Sequence, residues 1–499
     1  MSSTFSGLEL SRRALSSQQA ALNITGHNIA NSNTKGYTRQ IGNLTSTTPD
    51  TISNSGRNLS LGSGVTLDTI TRARDAFVDR QFRGETSKQQ YWAAKQDSLT
   101  KVEDILNEPS DNSLSNDMNQ FWVAWSDLSK SPENSGARSV VKERALTLID
   151  SFHAISTQIS DRQNDLNSQV NVQINQINVY ANQIKDLNDQ IKRAEVAGDN
   201  PNDLRDSRDN LVDGLSKIVS VRVTETRDPN FTDRQVNSYK VDIGDETIPQ
   251  TLVNDGQVNQ LVGDKNQTGI TSVKWAGGAS FKLGQNMGTL QANIEIRDDY
   301  LTGLMGKYDK LAAGIVTAVN ELHKKSLDPS DPLDKGTNFF HDPTDGPTDD
   351  LSDDDLEAKV TASNIQLNAD IIANINKIVT GQLGEAGDGS IATKISSLSS
   401  GWSEVSSIDK TAYGTSLGDF YGATVAQLGV DVQQANRMKA GEDVLVTNVT
   451  NQRESFSGVS LDEEMTNLIK FQKSYSAAAR MVTMMDDMLS TLMSMGVTR

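Results

Sequence analysis

The sequence predicts a mainly α, elongated, multi-domain protein with long coiled-coil-like helices, paired N- and C-terminal helices, and a small inserted antiparallel β domain. Three observations lead to this fold class. Apolar residues recur at alternating steps of three and four over long stretches, and the period changes to two within residues 219–283. The 499 residues also exceed what one compact core usually holds, and a hydrophobic content of only 35% favours narrow seams between helices.

The first predicted element is an amphipathic helix near the N-terminus. It ends in a polar segment, residues 31–37, where short side chains compete for backbone hydrogen bonds and Gly36 can adopt a left-handed turn. Its apolar residues fall seven apart: Leu8, Leu15, Leu22 and Ile29.

A second stripe of the same period lies at the C-terminus. Its members are Leu461, Met465, Leu468, Tyr475, Ala479, Val482, Leu489 and Met493. Each terminal helix could dock on the core of its own domain, or the two could pair with each other and with copies in neighbouring subunits. Matching stripes at both ends favour the second alternative.

Four further helices are predicted between the termini. One spans Leu114 to Leu128 between Pro109 and Pro132, two residues that stop helices. A second has nine consecutive core positions within residues 166–194 and, if it begins near Ser139, is roughly 90 Å long. The others cover residues 290–322 and 417–449.

Residues 219–283 alternate apolar and polar side chains between glycine turns, which predicts an antiparallel β unit. The predicted domains are residues 1–45 with 456–499 (terminal helices), 66–215 with 287–327 and 357–455 (long helices), and 216–286 (β insertion). Residues 328–356 form an acidic, proline-rich loop, interpreted as solvated surface rather than a cation site because no EF-hand spacing occurs.

The sequence offers little for catalysis. There is no cysteine, and the four histidines lack zinc-binding spacing. Residues 387–392 match a loose dinucleotide motif outside any βαβ pattern. We therefore predict no enzyme activity, no cofactor and no metal. The net charge of −18 argues against nucleic acid as a partner, and no apolar run is long enough to predict membrane insertion.

Both termini carry recognisable motifs. Residues 23–31 and 33–40 read NITGHNIAN and NTKGYTRQ, and residues 457–465 and 468–475 read SGVSLDEEM and LIKFQKSY. These segments resemble the terminal signatures of bacterial flagellar rod, hook and hook-associated proteins. The motif positions are Asn28, Asn31, Asn33, Thr34, Gly36, Tyr37, Asp462, Glu463, Glu464 and Gln472.

The resemblance implies a structural subunit that is exported unfolded through the flagellar type III apparatus, with an export chaperone covering its C-terminal stripe. It would be secreted and polymerise as a helical ring at the hook-filament junction, between the hook protein and a second junction protein. In that assembly Leu8, Leu15, Leu22 and Ile29 are expected to pack against Leu461, Met465, Leu468, Tyr475, Val482 and Leu489.

Three other interpretations stay open at this stage. Hook protein or a distal rod protein of the same family would share the terminal motifs. A surface-displayed glycan-binding adhesin is a more distant alternative, in which the β insertion carries the activity.

Overall fold

A computed structural model describes residues 6–54, 57–245, 247–267, 269–328, 331–341, 359–406 and 413–496. Long helices and small antiparallel sheets dominate this part of the chain, which confirms the predicted mainly α class. None of its helices is both long and apolar enough to span a bilayer.

The two ends of the chain form one unit, as predicted. Helix α1 (Ser6–Ala30) packs against the last helix, α11 (Leu461–Gly496). Gly7 lies against Met485, while Asn28 is hydrogen-bonded to Glu464. Because these two contacts lie equally far apart on both helices, the pair is antiparallel and in register. Two hairpins follow α1: β1 (Gln40–Ser46) pairs with β4 (Val65–Arg72), and β2 (Asp50–Asn54) pairs with β3 (Arg57–Leu61).

The helical body is built on one very long helix. This is α4 (Ser135–Val196), whose 62 residues extend about 93 Å. It begins at Ser135 rather than near Ser139, because the Asn134 side chain accepts hydrogen bonds from the amides of Gly136 and Ala137. The other helices of the body are α2 (Ala76–Leu106), α3 (Leu114–Lys130), α5 (Asn202–Ser216), α6 (Gly288–Glu295), α7 (Leu301–His323), α8 (Ala369–Ala373), α9 (Ser390–Ser397) and α10 (Leu417–Ser457).

One large apolar core joins these helices except α5, whose Val212 and Leu215 belong to a second core. Trp125, Phe152 and Tyr308 are fully buried in the large core, and Trp92 and Trp122 are buried there as well. A π-helical turn, Ile296–Tyr300, links α6 to α7 within the region predicted as one helix. Helices α2 and α10 run antiparallel, since Arg453 pairs with Asp79 near one end.

The β insertion follows α5. Its four-stranded antiparallel sheet has the order β5 (Val221–Arg227), β6 (Asn237–Ile243), β7 (Thr251–Asn254), β8 (Gln257–Val258), and β9 (Leu261–Lys265) pairs with β10 (Thr271–Trp275). A second core attaches this unit to the distal half of α4 through Val170, Ile177 and Ile184. The predicted small antiparallel β unit is thus present between α5 and α6.

The segment predicted as an acidic loop, 328–356, falls largely outside the described residues. Around it lie short elements: β11 (Leu327–Asp328) pairs with β12 (Asp331–Lys335), β13 (Phe340–His341) pairs with β14 (Gln366–Leu367), and a 3-10 turn covers Ile375–Lys377.

Candidate functional site

The motif segments of the N- and C-termini meet at the end of α1. Asn28 is 1% exposed, and its amide nitrogen donates to the carbonyl of Gln40 at 2.9 Å and to Oε2 of Glu464 at 3.2 Å. Its amide oxygen accepts from the backbone N–H of Gln40 at 2.9 Å and from the Tyr37 hydroxyl at 2.7 Å. An amide side chain offers two donors and two acceptor positions, so Asn28 is fully used.

Tyr37 is held by this contact as a hydrogen-bond donor. Burial raises the pKa of Tyr37, and the charges of Asp203, Asp206 and Glu464 raise that pKa further. The phenol therefore stays protonated at neutral pH and donates to Asn28.

The segment between α1 and β1 is a chain reversal. The side-chain amide of Asn31 donates to the His27 carbonyl, and the Thr34 hydroxyl donates to the side-chain oxygen of Asn31. These two hydrogen bonds end the helix. Gly36 has φ +77°, and a Cβ placed there would lie 1.8 Å from the amide oxygen of Asn210 on α5. The positive φ favours glycine, and a larger residue would also require the Asn210 side chain to move. Asn33 is exposed on this turn.

Arg39 joins the N-terminal segment to the C-terminal helix. Its guanidinium donates from Nε to Oε1 of Glu464 at 2.8 Å and pairs through Nη1 with Oε2 of Glu463 at 2.9 Å. Its backbone N–H donates to the carbonyl of Ser457 at the end of α10. Because Glu464 is 2% exposed, its charge depends on Arg39 and Asn28 for compensation. Asp462 and Gln472 are exposed and lie outside this contact.

A buried ion network lies directly behind this contact, where the terminal unit meets the body. At its centre Asp209 of α5 pairs with Arg72 at 2.7 Å, Arg74 at 2.8 Å and Arg83 at 3.4 Å. Burial alone would raise the pKa of Asp209, but the charges of Arg74, Arg72 and Arg83 outweigh it and hold this pKa well below its ordinary range.

The network extends to the segments that cross between the two units. Asp206 accepts from the backbone N–H of Thr38 at 2.9 Å and from Arg72 at 2.8 Å. Arg453 of α10 pairs with Asp79 of α2 at 2.9 Å and with Asp213 of α5 at 2.7 Å. Residues near positions 38, 72 and 453 are thus fixed to α2 and α5, so the network sets how the terminal unit meets the body.

The sequence did not identify this network. Its residues come from segments far apart in the chain, so spacing along the sequence does not mark it. The Asp-rich composition of α5 was the one available signal, with Asp203, Asp206, Asp209 and Asp213 in a single short helix.

The predicted apolar interface residues divide into two groups in the single chain. On α11, Leu468, Val482 and Leu489 are partly buried, whereas Leu461 and Met465 are each 52% exposed and Tyr475 is 37% exposed. Exposed apolar residues continue along the helix at Ile469, Met481, Met484, Met488, Leu492, Met493 and Met495. The predicted α1 residues, Leu8, Leu15, Leu22 and Ile29, are all partly buried.

Apart from its contact with α1, α11 is therefore largely uncovered in the single chain. We call the exposed residues from Leu461 to Met495 the α11 face. In the described part of the chain, His, Asp and Glu side chains form no group of three or more that could hold a metal ion.

Comparison with known proteins agrees with this geometry. Residues 8–38 match a family model described as "Flagella basal body rod protein", and residues 451–495 match "Flagellar basal body rod FlgEFG protein C-terminal". These are the two segments that meet at Asn28 and Glu464, and they define a flagellar axial protein. Residues 99–340 match "Flagellar hook-associated protein FlgK helical domain".

Relatives match over the full length of the chain. The sequence is 34% identical to flagellar hook-associated protein 1 of Bacillus subtilis, over 100% of this chain and 99% of that protein. It is 25% identical to flagellar hook-associated protein 1 of Escherichia coli, over 94% of this chain and 95% of that protein. The protein belongs to the flagellar hook-associated protein 1 family, a structural family of the bacterial flagellum.

A solved structure has the same fold. It is the flagellar hook junction protein FlgK from Burkholderia pseudomallei, with a TM-score of 0.61 and 16% identity. The similarity covers 76% of this chain and 100% of that chain. Because the relatives that match over nearly the whole chain are hook-associated protein 1, we discard the hook protein and distal rod protein alternatives.

Proposed function

We propose that this chain polymerises into a ring at the hook-filament junction and is needed for attachment and assembly of the filament. The observation that carries the proposal is the α11 face. It lies on a helix whose other side is joined to α1, so a neighbouring subunit can cover it.

Contacts of this kind propagate. A subunit that presents one apolar face and receives its neighbour's face on a different surface makes heterologous contacts, which continue as rings or helical arrays. Each large apolar side chain that becomes fully buried contributes about 1.5–3 kcal/mol. The row of methionines suits such an interface, because unbranched thioether side chains adapt to irregular neighbouring surfaces.

The polar contact and the α11 face have different roles within the terminal unit. Asn28, Arg39 and Glu464 fix α11 to α1, and the ion network around Asp209 fixes both to the body. The apolar interface residues predicted above would then meet between subunits. The proposed domains are those predicted from the sequence: residues 1–45 with 456–499 form an inner tube, the long helices a middle layer and residues 216–286 the outer surface.

The remaining partners are proposed from family membership. They are the hook protein on one side, a second junction protein on the other, and, before assembly, the type III export apparatus with a chaperone on the C-terminal helix. The chain would act outside the cell as a purely structural subunit, without enzymatic activity, nucleic acid or membrane insertion. The absence of cysteine is compatible with export of an unfolded chain, because no disulfide has to be opened.

A complementation experiment tests the proposal. In a strain lacking the gene, electron microscopy should show hooks without filaments, and flagellin should appear in the medium. The wild-type gene should restore filaments, whereas Met488→Glu should not, because a charge would be buried in the subunit interface. Val172→Glu is the matched control, since Val172 is 65% exposed on α4. Normal filaments in the deletion strain, or hookless basal bodies, would contradict the junction role. Equal assembly by Met488→Glu and wild type would contradict the role of the α11 face.

A further inference from the structure

An open groove lies on the β insertion, far in sequence from both terminal motifs. Its volume is about 610 Å³, within the range of small-ligand sites. We call it the Trp275 groove, and it is lined by Pro249, Gln250, Thr251, Val258, Asn259, Gln260, Trp275, Ala276 and Gly277.

Trp275 differs from the other tryptophans of the chain. Those at positions 92, 122, 125 and 402 are buried, whereas Trp275 is partly exposed and lines the groove. The ring of Phe281 meets the indole at 5.6 Å between centroids and an interplanar angle of 84°. This edge contact fixes the orientation of the indole, so the groove has a rigid aromatic wall with a polar tip.

The groove lining carries no charged side chain. In a chain of net charge −18, an anionic ligand would meet repulsion without a compensating cation in the groove. The polar side chains of the lining are neutral instead. Gln260 and Asn259 are amides, although one N–H of Asn259 already donates to the Thr251 carbonyl. The Thr251 hydroxyl donates to Asp242 and can still accept a hydrogen bond. The lining therefore suits a neutral ligand rich in hydroxyl or amide groups.

Three backbone N–H groups of the lining are already hydrogen-bonded within the insertion, which disfavours pairing with an extended peptide. The N–H of Asn259 donates to Leu252, that of Ala276 donates to Gln260, and that of Trp275 donates to Ala279. Addition of a peptide strand needs free backbone donors at a sheet edge. Recognition here has to come from side chains and the indole.

We propose that the Trp275 groove binds a neutral oligosaccharide. One sugar ring stacks its apolar face on the Trp275 indole, while its hydroxyl groups bond to Gln260 and Asn259. Gly277 lines the groove without a side chain, and a Cβ built there meets no atom within 4 Å. This binding activity goes beyond the junction role, which resides in the terminal unit and does not depend on it.

The test uses the full chain and one substitution that blocks the groove. Gly277→Leu should fill the open space without backbone strain, because Gly277 is not among the residues with positive φ. The matched control is Gly387→Leu, at another exposed glycine with nothing within 4 Å. A second variant, Trp275→Leu, removes the stacking surface, and its fold is checked by circular dichroism.

Binding is screened on an array of neutral and sialylated glycans, followed by tryptophan fluorescence titration with cellotriose, maltotriose and triacetylchitotriose. We expect a neutral glycan to bind saturably, and both groove variants to weaken that binding by about tenfold or more, as truncation of a central contact does. Gly387→Leu should bind as wild type, and Gly277→Leu should still assemble filaments. The proposal is overturned by a lack of binding to every neutral glycan, by a preference for sialylated glycans, or by unchanged affinity in Gly277→Leu.

Discussion

The terminal unit and the helical body are each stabilised by a different kind of interaction. In the body, side chains such as Trp125, Phe152 and Ile177 are fully buried, and the long helices cover one another. In the terminal unit, Asn28, Arg39 and Glu464 make the specific contacts, while Met465, Met488 and their neighbours stay exposed. A body that buries its apolar residues is complete as a monomer. A unit that specifies its pairing with polar groups keeps its apolar surface for other subunits.

The largest effect is expected where the two regions join. Asp209→Ala removes the carboxylate shared by Arg72, Arg74 and Arg83 and leaves these cations buried without it. We expect a loss of about 3–5 kcal/mol in the free energy of unfolding, measured by urea denaturation. The control Asp203→Ala, whose side chain is 66% exposed, should change stability little. If Asp209→Ala lowered the free energy of unfolding less than Asp203→Ala does, packing alone would orient the terminal unit.

A pH dependence distinguishes the body from the terminal unit. Burial lowers the pKa of His323 from 6.5 to about 4, which outweighs the favourable hydrogen bond to the Thr337 carbonyl. Since the unfolded chain binds this proton more readily, stability is complete above about pH 6.5 and decreases by up to about 3 kcal/mol as the pH falls towards 4.

The variant His323→Gln isolates this contribution. Glutamine can still donate to Thr337 and accept from the amide of Val379, yet it does not titrate. Thermal unfolding between pH 7 and 4 should therefore show a weaker pH dependence in this variant than in wild type. An identical slope in both proteins would assign the effect to other groups.

A smaller and local effect is expected for Glu464→Gln, which removes the charge paired with Arg39 and keeps the side-chain length. The α11 helix should lose about 1–3 kcal/mol of local stability, because a charge-assisted hydrogen bond is replaced by a neutral one. Amide exchange should become faster in α11 and stay unchanged in α4. Asp462→Gln, at an exposed position in the same turn, serves as the control. Faster exchange throughout the body would show that the two regions are not separable.

The last effect, similar in size to that of Glu464→Gln, is expected at Gly36. Gly36→Val forces a β-branched residue to φ +77° and against Asn210, at a cost of about 1–3 kcal/mol. We expect impaired filament assembly with helix content nearly unchanged by circular dichroism. Gly26→Ala, in the interior of α1 with open space around it, should instead stabilise that helix by about 1 kcal/mol. Equal assembly by Gly36→Val and wild type would remove the special role of this turn.

The sequence predicted the helices well and the contacts between them less well. Long apolar repeats specify α4 and α11 because a period near 3.6 is a local property of the chain. The row of α11 that meets α1 was harder to assign: Leu461, Met465 and Tyr475 share the repeat with Leu468, yet they stay exposed in the monomer.

Two features had little local signal. Neither β1 nor β4 contains a fully buried residue, and β1 lacks the regular alternation that marks a half-buried strand. The network around Asp209 depends on tertiary proximity, which spacing along the chain does not encode. The sequence identified the motif residues Asn28, Tyr37, Glu463 and Glu464, which the structure brings together. It did not predict the pairing of Arg39 with the two glutamates.

The hydrogen bond between Asn28 and Glu464 joins positions 436 residues apart. Any chain that stops before residue 464 lacks the carboxylate that Asn28 and Arg39 require, although its helical body could still form. A prematurely terminated copy therefore has no partner for α1 and cannot present the α11 face. Without α11, the partly buried residues of α1 would be exposed to solvent.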